Sequence, residues 1–116
     1  MSNAFETIRK EDEALICKTY GRYPVAIERG LGSRLWDVDG KEYVDLLTGI
    51  AVAGLGHCHP EVVEATVAQV KKLVHISNLF YHKEQLELAK RLLATAHLDK
   101  VFFCNSGAEA NEAAIK

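Results

Sequence analysis

A short segment late in the sequence combines residue types that bind anions. Asn105, Ser106 and Gly107 follow an apolar run and precede a helical pattern. A helix N-terminus has free N–H groups and a partial positive charge, so it attracts a phosphate, and a glycine leaves room for the anion to approach. Ser106 adds a hydroxyl donor, and Ala108 adds a backbone amide. The pattern therefore predicts a phosphate site formed by Ser106, Gly107 and Ala108.

The same residues also fit a purely structural interpretation. Ser106 is a preferred N-cap, and Glu109 follows three residues later, where it would complete a capping box. The glycine patterns of Walker-type phosphate loops and of dinucleotide-binding folds are absent from the sequence. From the residues alone, a capped helix and an anion site are both open interpretations.

Three adjacent side chains, His57, Cys58 and His59, suggest a metal site at first sight. Consecutive side chains cannot converge on one ion without severe bending of the backbone, and no second ligand pair has the spacing of a zinc site. We therefore predict no metal, and we interpret the segment as a tight turn into a helix that begins at Pro60. Cys104 lies on an apolar run, which favours a small core residue over a nucleophile.

The composition indicates a globular protein and limits the classes of partner. The 116 residues carry a net charge of −2, with 48% hydrophobic and 26% charged residues. Acidic and basic residues alternate without a basic stripe, so nucleic-acid binding is not predicted. The longest apolar stretch, Leu46 to Leu55, is too short to span a bilayer. Three cysteines without framework spacing, and no secretory signal, predict a cytoplasmic protein. Residues 1–4 resemble a tag remnant and carry no functional prediction.

Hydrophobic periodicity predicts the elements that position these residues. In chain order, they are a charged helix over residues 5–19, strand segments at 25–30 and 33–47 with a hairpin at Asp39-Gly40, a helix from Pro60 with Val63, Val67, Val70 and Val74 on one face, a helix from Lys83 to Ala96, a buried strand from Lys100 to Cys104, and a final helix. This order predicts an α+β N-terminal segment that leads into the first strand and helix of an α/β fold, which is incomplete here.

Three segments resemble one known family. "NSGAEANEAAIK" is similar to the phosphate-binding motif of the class III, pyridoxal-phosphate-dependent aminotransferases, and "GSRLWDVDGKEYVDLLTGIAV" and "LGHCHPEVVEA" resemble its N-terminal signatures in the same order. The resemblance runs from Tyr20 to Lys116, and within the family it is greatest to the acetylornithine aminotransferases of arginine biosynthesis. It implies a cytoplasmic homodimer that moves an amino group from N-acetylornithine to 2-oxoglutarate with pyridoxal 5'-phosphate as cofactor.

The resemblance also implies a type I aminotransferase fold and a division of the chain. Residues 1–75 would form an N-terminal segment of helix, small β-meander and helix, and residues 76–116 would begin the large cofactor-binding domain. In the family, the backbone at the positions matching Gly107 and Ala108 binds the cofactor phosphate, with the residue matching Ser106 beside it.

Three further residues are implied to contact substrate. Tyr20 matches a tyrosine that contacts the amino-acid end of the substrate in the related ornithine aminotransferases. Ile50 matches a second active-site position, which is a tyrosine in those enzymes, so an apolar Ile50 favours an acylated donor. Asn78 lies in the break between two helices, in a region that approaches the subunit interface in this dimeric family.

The resemblance assigns no catalytic residue to these 116 residues. The family's Schiff-base lysine lies far downstream of the motif at Ser106, and none of the nine lysines present matches its position. We therefore expect that this chain alone is not catalytically competent. Two alternatives stay open: another ω-aminotransferase, for ornithine or 4-aminobutyrate, and a non-catalytic module that associates through its exposed helices.

Overall fold

The structure is a computed structural model that describes residues 3–116, so half of the predicted tag remnant lies outside the described residues. In chain order, its elements are α1 (Asn3–Leu15), β1 (Ile27–Leu31), β2 (Arg34–Asp37), β3 (Glu42–Val44), α2 (Thr48–Ala51), α3 (Pro60–Lys72), α4 (Lys83–Leu93) and α5 (Gly107–Ile115). They form two compact units, the first ending at Val74 and the second comprising His75–Lys116. That the second unit begins a large cofactor domain stays a prediction. No helix within residues 3–116 is long and apolar enough to cross a membrane.

Helix α1 is stabilised on its exposed surface by paired charges. Arg9 contacts Glu6 and Glu13, each at 2.8 Å, and these are the i,i+3 and i,i+4 spacings at which helical side chains meet. The helix ends at Leu15, so the predicted end at residue 19 is wrong. Residues 16–19 have no oppositely charged side chain at these spacings, and they include Thr19, a β-branched residue whose restricted side chain lowers helix propensity.

The three strands form one antiparallel sheet in the order β1-β2-β3. The predicted hairpin at Asp39-Gly40 is confirmed: Gly40 has a φ of +79° and donates its N–H to the carbonyl of Asp37 at 2.9 Å. The buried carboxylate of Asp37 also accepts the N–H of Lys41 at 2.9 Å and the hydroxyl of Tyr43 at 2.7 Å. One buried side chain thus holds the turn from within.

Helix α3 begins at Pro60, as the sequence predicts, because proline has no N–H to lose at the first helical position. Its valine stripe faces solvent within the described chain. Val63, Val67 and Val70 lie on α3 and are 43% to 53% exposed. Val74, which was predicted to continue the stripe, lies beyond the helix end at Lys72 and is 79% exposed. The helical periodicity is therefore confirmed for three of the four valines, whereas the burial that such a stripe usually indicates is not provided by residues 3–116.

The second unit contains α4 and α5, joined by an extended segment. Helix α4 ends at Leu93, and the following residues to Ala96 form turns rather than the predicted last helical turn. Lys100–Cys104, predicted to be a buried strand, is not a strand in the structure. A strand needs a neighbour to pair its backbone groups, and no described residue pairs with this segment. Phe102 is 69% exposed and Cys104 is half-buried.

Candidate functional site

The start of α5 has the donors of an anion site. Ser106 is the N-cap, and its hydroxyl oxygen accepts the N–H of Glu109 at 3.2 Å. The first amides of a helix have no intrahelical acceptor, and no described side chain caps those of Gly107 and Ala108. Both residues are exposed. The hydroxyl of Ser106 still has its own proton to donate, so three donors are available to an anion at this helix end.

The side chain of Glu109 reaches back to the residue that precedes the N-cap. Its carboxylate accepts the backbone N–H of Asn105 at 2.8 Å and the side-chain amide of Asn105 at 3.3 Å. A regular capping box would place that bond on the N–H of Ser106 itself. The predicted capping box is therefore half formed, shifted by one residue, and the cap coexists with free amides at Gly107 and Ala108.

Gly107 is not required by the packing of this chain. A Cβ built on Gly107 meets no atom of residues 3–116 within 4 Å, and its φ lies outside the left-handed region. A side chain there would therefore be tolerated by the described chain itself. A side chain at Gly107 would instead obstruct the approach of an anion to the first amides of α5. A substitution at Gly107 therefore tests anion binding without disturbing the packing of the described chain.

Tyr20 lies in the first unit, where it lines a cleft of about 780 Å³ between α1 and the sheet. Phe5 and Ile8 of α1 and Ile27 of β1 line the same cleft. The side chain of Tyr20 is 74% exposed, so its phenol can reach a ligand. Ile50 does not line this cleft, so within the first unit the two predicted substrate residues occupy different surfaces.

Ile50 is presented by a strained turn. Residues 48–51, which form α2, all have left-handed backbone, with φ between +49° and +62°. Left-handed backbone costs about 1–2 kcal/mol for each residue with a side chain, and it is rare for a β-branched residue such as Ile50. The side chain of Ile50 is 89% exposed, so its own packing does not stabilise this conformation. Strain of this kind is concentrated at functional sites.

The turn is held by Asp45, a buried residue that sequence reasoning missed. One carboxylate oxygen accepts the N–H groups of Leu47 at 2.9 Å and Thr48 at 2.8 Å, and the other lies 2.6 Å from Nε2 of His57. The bonds from His57 and from the two amides hold the pKa of Asp45 below its usual value of 3.8. An ionised carboxylate only accepts hydrogen bonds, so Nε2 of His57 carries the proton.

His57 connects this turn to the sheet. Its backbone forms a two-bond bridge with Gly32, at 2.8 and 2.9 Å, and its ring lies against Gly30. A Cβ on Gly30 would lie 2.7 Å from Cγ of His57, so only glycine fits there. The sequence signal for the turn is Asp45 itself, because an aspartate carboxylate commonly accepts the backbone N–H groups two and three residues later. No described group of three or more His, Cys, Asp and Glu side chains could hold a metal.

Asn78 lies in the second unit, in a turn between α3 and α4, and it is exposed. The preceding residue, Ser77, has a φ of +64°, so this turn also contains left-handed backbone. The second unit thus contains Asn78 and the three predicted phosphate ligands, while Tyr20 and Ile50 belong to the first unit.

A sequence profile of the family described as aminotransferase class-III matches residues 16–116 of the chain. The chain belongs to the class III aminotransferases. It is 58% identical over 104 residues to a Nostoc sp. protein named acetylornithine aminotransferase, a match that covers 90% of this chain and 24% of that protein. The chain therefore spans about a quarter of the length of this relative.

Solved aminotransferase structures share the fold of this chain. The crystal structure of acetylornithine aminotransferase from Elizabethkingia anophelis has a TM-score of 0.91 and 38% identity, covering 97% of this chain and 29% of that one. Ornithine δ-aminotransferase from Plasmodium falciparum has a TM-score of 0.89 and 30% identity, covering 96% and 29%. The prediction of an α+β segment that belongs to a larger aminotransferase fold is confirmed.

Proposed function

We propose that the protein carrying this sequence is a pyridoxal-phosphate-dependent acetylornithine aminotransferase. It moves an amino group from N-acetylornithine to 2-oxoglutarate in arginine biosynthesis, as a cytoplasmic homodimer. The observation that carries the proposal is the 58% identity over 90% of the chain to a protein of that name. The lower identity of 30% to an ornithine aminotransferase makes free ornithine the second candidate donor.

The start of α5 fits the phosphate of the cofactor. The free amides of Gly107 and Ala108 and the hydroxyl of Ser106 would hold it, while Asn105 keeps the carboxylate of Glu109 engaged. The helix dipole adds to this attraction for a dianion. When bound, pyridoxal phosphate supplies the electron sink for moving the amino group. The role of residues 106–108 is to bind the phosphate of the cofactor and thereby to orient the cofactor.

Ile50 supports an acylated donor. An exposed aliphatic side chain adds apolar surface and no hydrogen-bond acceptor, and it would leave the charged amine of free ornithine without a partner. Tyr20 offers a phenol at the mouth of a cleft and would contact the amino-acid end of the substrate. Asn78 is an exposed amide that would contact substrate or the partner subunit.

Steady-state kinetics of the whole protein test the donor. We expect kcat/KM with N-acetylornithine, at saturating 2-oxoglutarate, to exceed kcat/KM with free ornithine. A higher value with free ornithine would assign the protein to the other subfamily. Ile50→Tyr restores the hydroxyl of that subfamily, and we expect it to shift the ratio toward ornithine by about tenfold.

Cofactor affinity tests the phosphate site without any use of activity. In the whole protein stripped of cofactor, Gly107→Asp should weaken binding of pyridoxal phosphate, because it places a negative charge where the phosphate is bound. Binding of unphosphorylated pyridoxal should change little. Gly54→Asp is the matched control, since a Cβ on Gly54 also meets no atom within 4 Å. Equal loss of both ligands, or equal loss in the control, would contradict the site.

A further inference from the structure

We propose that Asp45 and His57 are positioning residues that fix the left-handed turn α2 and thereby set the donor preference of the enzyme through Ile50. The inference rests on the proposed function, because it takes Ile50 as a substrate contact. Neither Asp45 nor His57 is argued to touch substrate. Their role is to hold the backbone that does.

Within the first unit, the side chains of the turn do not hold it by packing. Leu47 is 65% exposed, Ile50 is 89% exposed and Val52 is 82% exposed, so apolar packing within the first unit does not offset the left-handed backbone. The helical bonds of the turn, such as the N–H of Val52 to the carbonyl of Thr48 at 2.9 Å, fix its internal shape. They do not fix where the turn lies relative to the sheet.

Asp45 provides that fixed point. Its side chain is 6% exposed, and both of its oxygens are used, one by two amides at the start of the turn and the other by His57. His57 is in turn fixed by its backbone bridge to Gly32 and by the contact of its ring with Gly30. A continuous path of short hydrogen bonds therefore runs from the β1–β2 hairpin, through His57 and Asp45, to the strained turn.

Loss of the hydrogen bonds through Asp45 and His57 should displace the side chain of Ile50 while leaving that side chain present. A displacement of about 1 Å is enough to change binding or reaction rates strongly when the displaced group contacts substrate. Because Ile50 would face the part of the donor that differs between acetylated and free ornithine, the displacement should act on discrimination between donors. The reaction with 2-oxoglutarate should be affected less.

The first experiment compares Asp45→Ala with Asp37→Ala in the whole protein. Both residues are buried aspartates that hold a turn in the first unit, but Asp37 holds the β2–β3 hairpin rather than α2. We expect Asp45→Ala to lower the ratio of kcat/KM for N-acetylornithine to kcat/KM for ornithine by about tenfold, chiefly through the KM of N-acetylornithine. Asp37→Ala should leave the ratio at the wild-type value.

Two further variants keep the proposal testable if Asp45→Ala does not fold. Gly30→Ala leaves both members of the pair in place but forces the ring of His57 to shift, and it should lower the same ratio. Asp45→Asn keeps an oxygen that can accept the amides of Leu47 and Thr48, so it should retain more of the ratio than Asp45→Ala. An unchanged ratio in Asp45→Ala and Gly30→Ala, or an equal loss in Asp37→Ala, would overturn the proposal.

Hydrogen exchange separates this inference from the proposed function. In Asp45→Ala, the amides of Leu47 and Thr48 should exchange faster than in the wild type, whatever the substrate is. If the wild-type protein did not act on N-acetylornithine, the proposed function would fail, and with it the role in donor preference. Unchanged exchange at these two amides would then also remove the positioning role.

Discussion

Gly56→Ala should open the contact between the loop after α2 and the β1–β2 hairpin. Gly56 has a φ of +85°, and a Cβ placed there would lie 3.0 Å from the backbone of Gly32. Gly32 exchanges two backbone hydrogen bonds with His57 at this point. The neighbouring atoms are backbone rather than the flexible end of a side chain, so the contact cannot be relieved by a rotamer change.

The magnitude follows from two independent costs. An alanine held at a left-handed φ costs about 1–2 kcal/mol. Overpacking of a close contact by one carbon costs about 1–3 kcal/mol. Their sum, about 2–5 kcal/mol, corresponds to at least about 30-fold faster opening of the contact at 1.4 kcal/mol per tenfold.

The assay is hydrogen exchange of the whole protein, read at the amides of Gly32 and His57, which donate the two bridging bonds. Gly54→Ala is the matched control two residues away, because its Cβ meets no atom and its φ lies outside the left-handed region. The control should change the opening free energy by less than about 0.5 kcal/mol. If both variants gave the same exchange rates at these amides, the close approach of the two glycines would not be the stabilising contact described here.

Three further predictions concern other turns and caps. Ser106→Ala should destabilise the first turn of α5 by about 1 kcal/mol in hydrogen exchange, whereas Ser106→Asp should keep the cap and weaken binding of pyridoxal phosphate. Gly40→Ala should destabilise the hairpin by about 1–2 kcal/mol because of its positive φ, and Gly40→Asn should cost less in the same urea titration. Hydrogen bonds lower the pKa of Asp37, chiefly through Tyr43, and the pKa of Asp45, chiefly through His57, below the usual value of 3.8. The stability that these two carboxylates give the fold should therefore be complete above pH 3.8 and lost as the pH falls through their lower folded-state pKa values. Urea midpoints that stay constant from about pH 5 to about pH 2 would refute this.

Features that depend on a few neighbouring residues could be predicted from the sequence. The cap at Ser106, the hairpin at Asp39-Gly40 and the helix start at Pro60 each need only the local chain, and all three are present. Even here one hydrogen bond differs from the prediction, because the carboxylate of Glu109 accepts the N–H of Asn105 rather than that of the capping residue, Ser106. The local sequence predicts where the helix begins, but it does not predict which backbone N–H the carboxylate of Glu109 binds.

Features that require distant partners could not be predicted. Lys100–Cys104 has the apolar composition of a strand, but strand formation also needs a paired neighbour, and none is present in residues 3–116. The bond between Asp45 and His57 joins residues 12 positions apart, across a segment rich in glycine. Spacing alone does not reveal such a pair, because the backbone between them follows no regular period.

The two buried aspartates show where sequence and structure disagree, and why the disagreement concerns function. Asp37 holds a turn whose glycine supplies the positive φ, so the local sequence and the fold favour the same conformation. Asp45 holds a turn in which Ile50, a residue that disfavours positive φ, is nevertheless held there and left exposed. Glycine and asparagine adopt this conformation at lower cost than isoleucine. The exposed, left-handed Ile50 therefore supports the proposal that its side chain contacts substrate, with Asp45 keeping it in place.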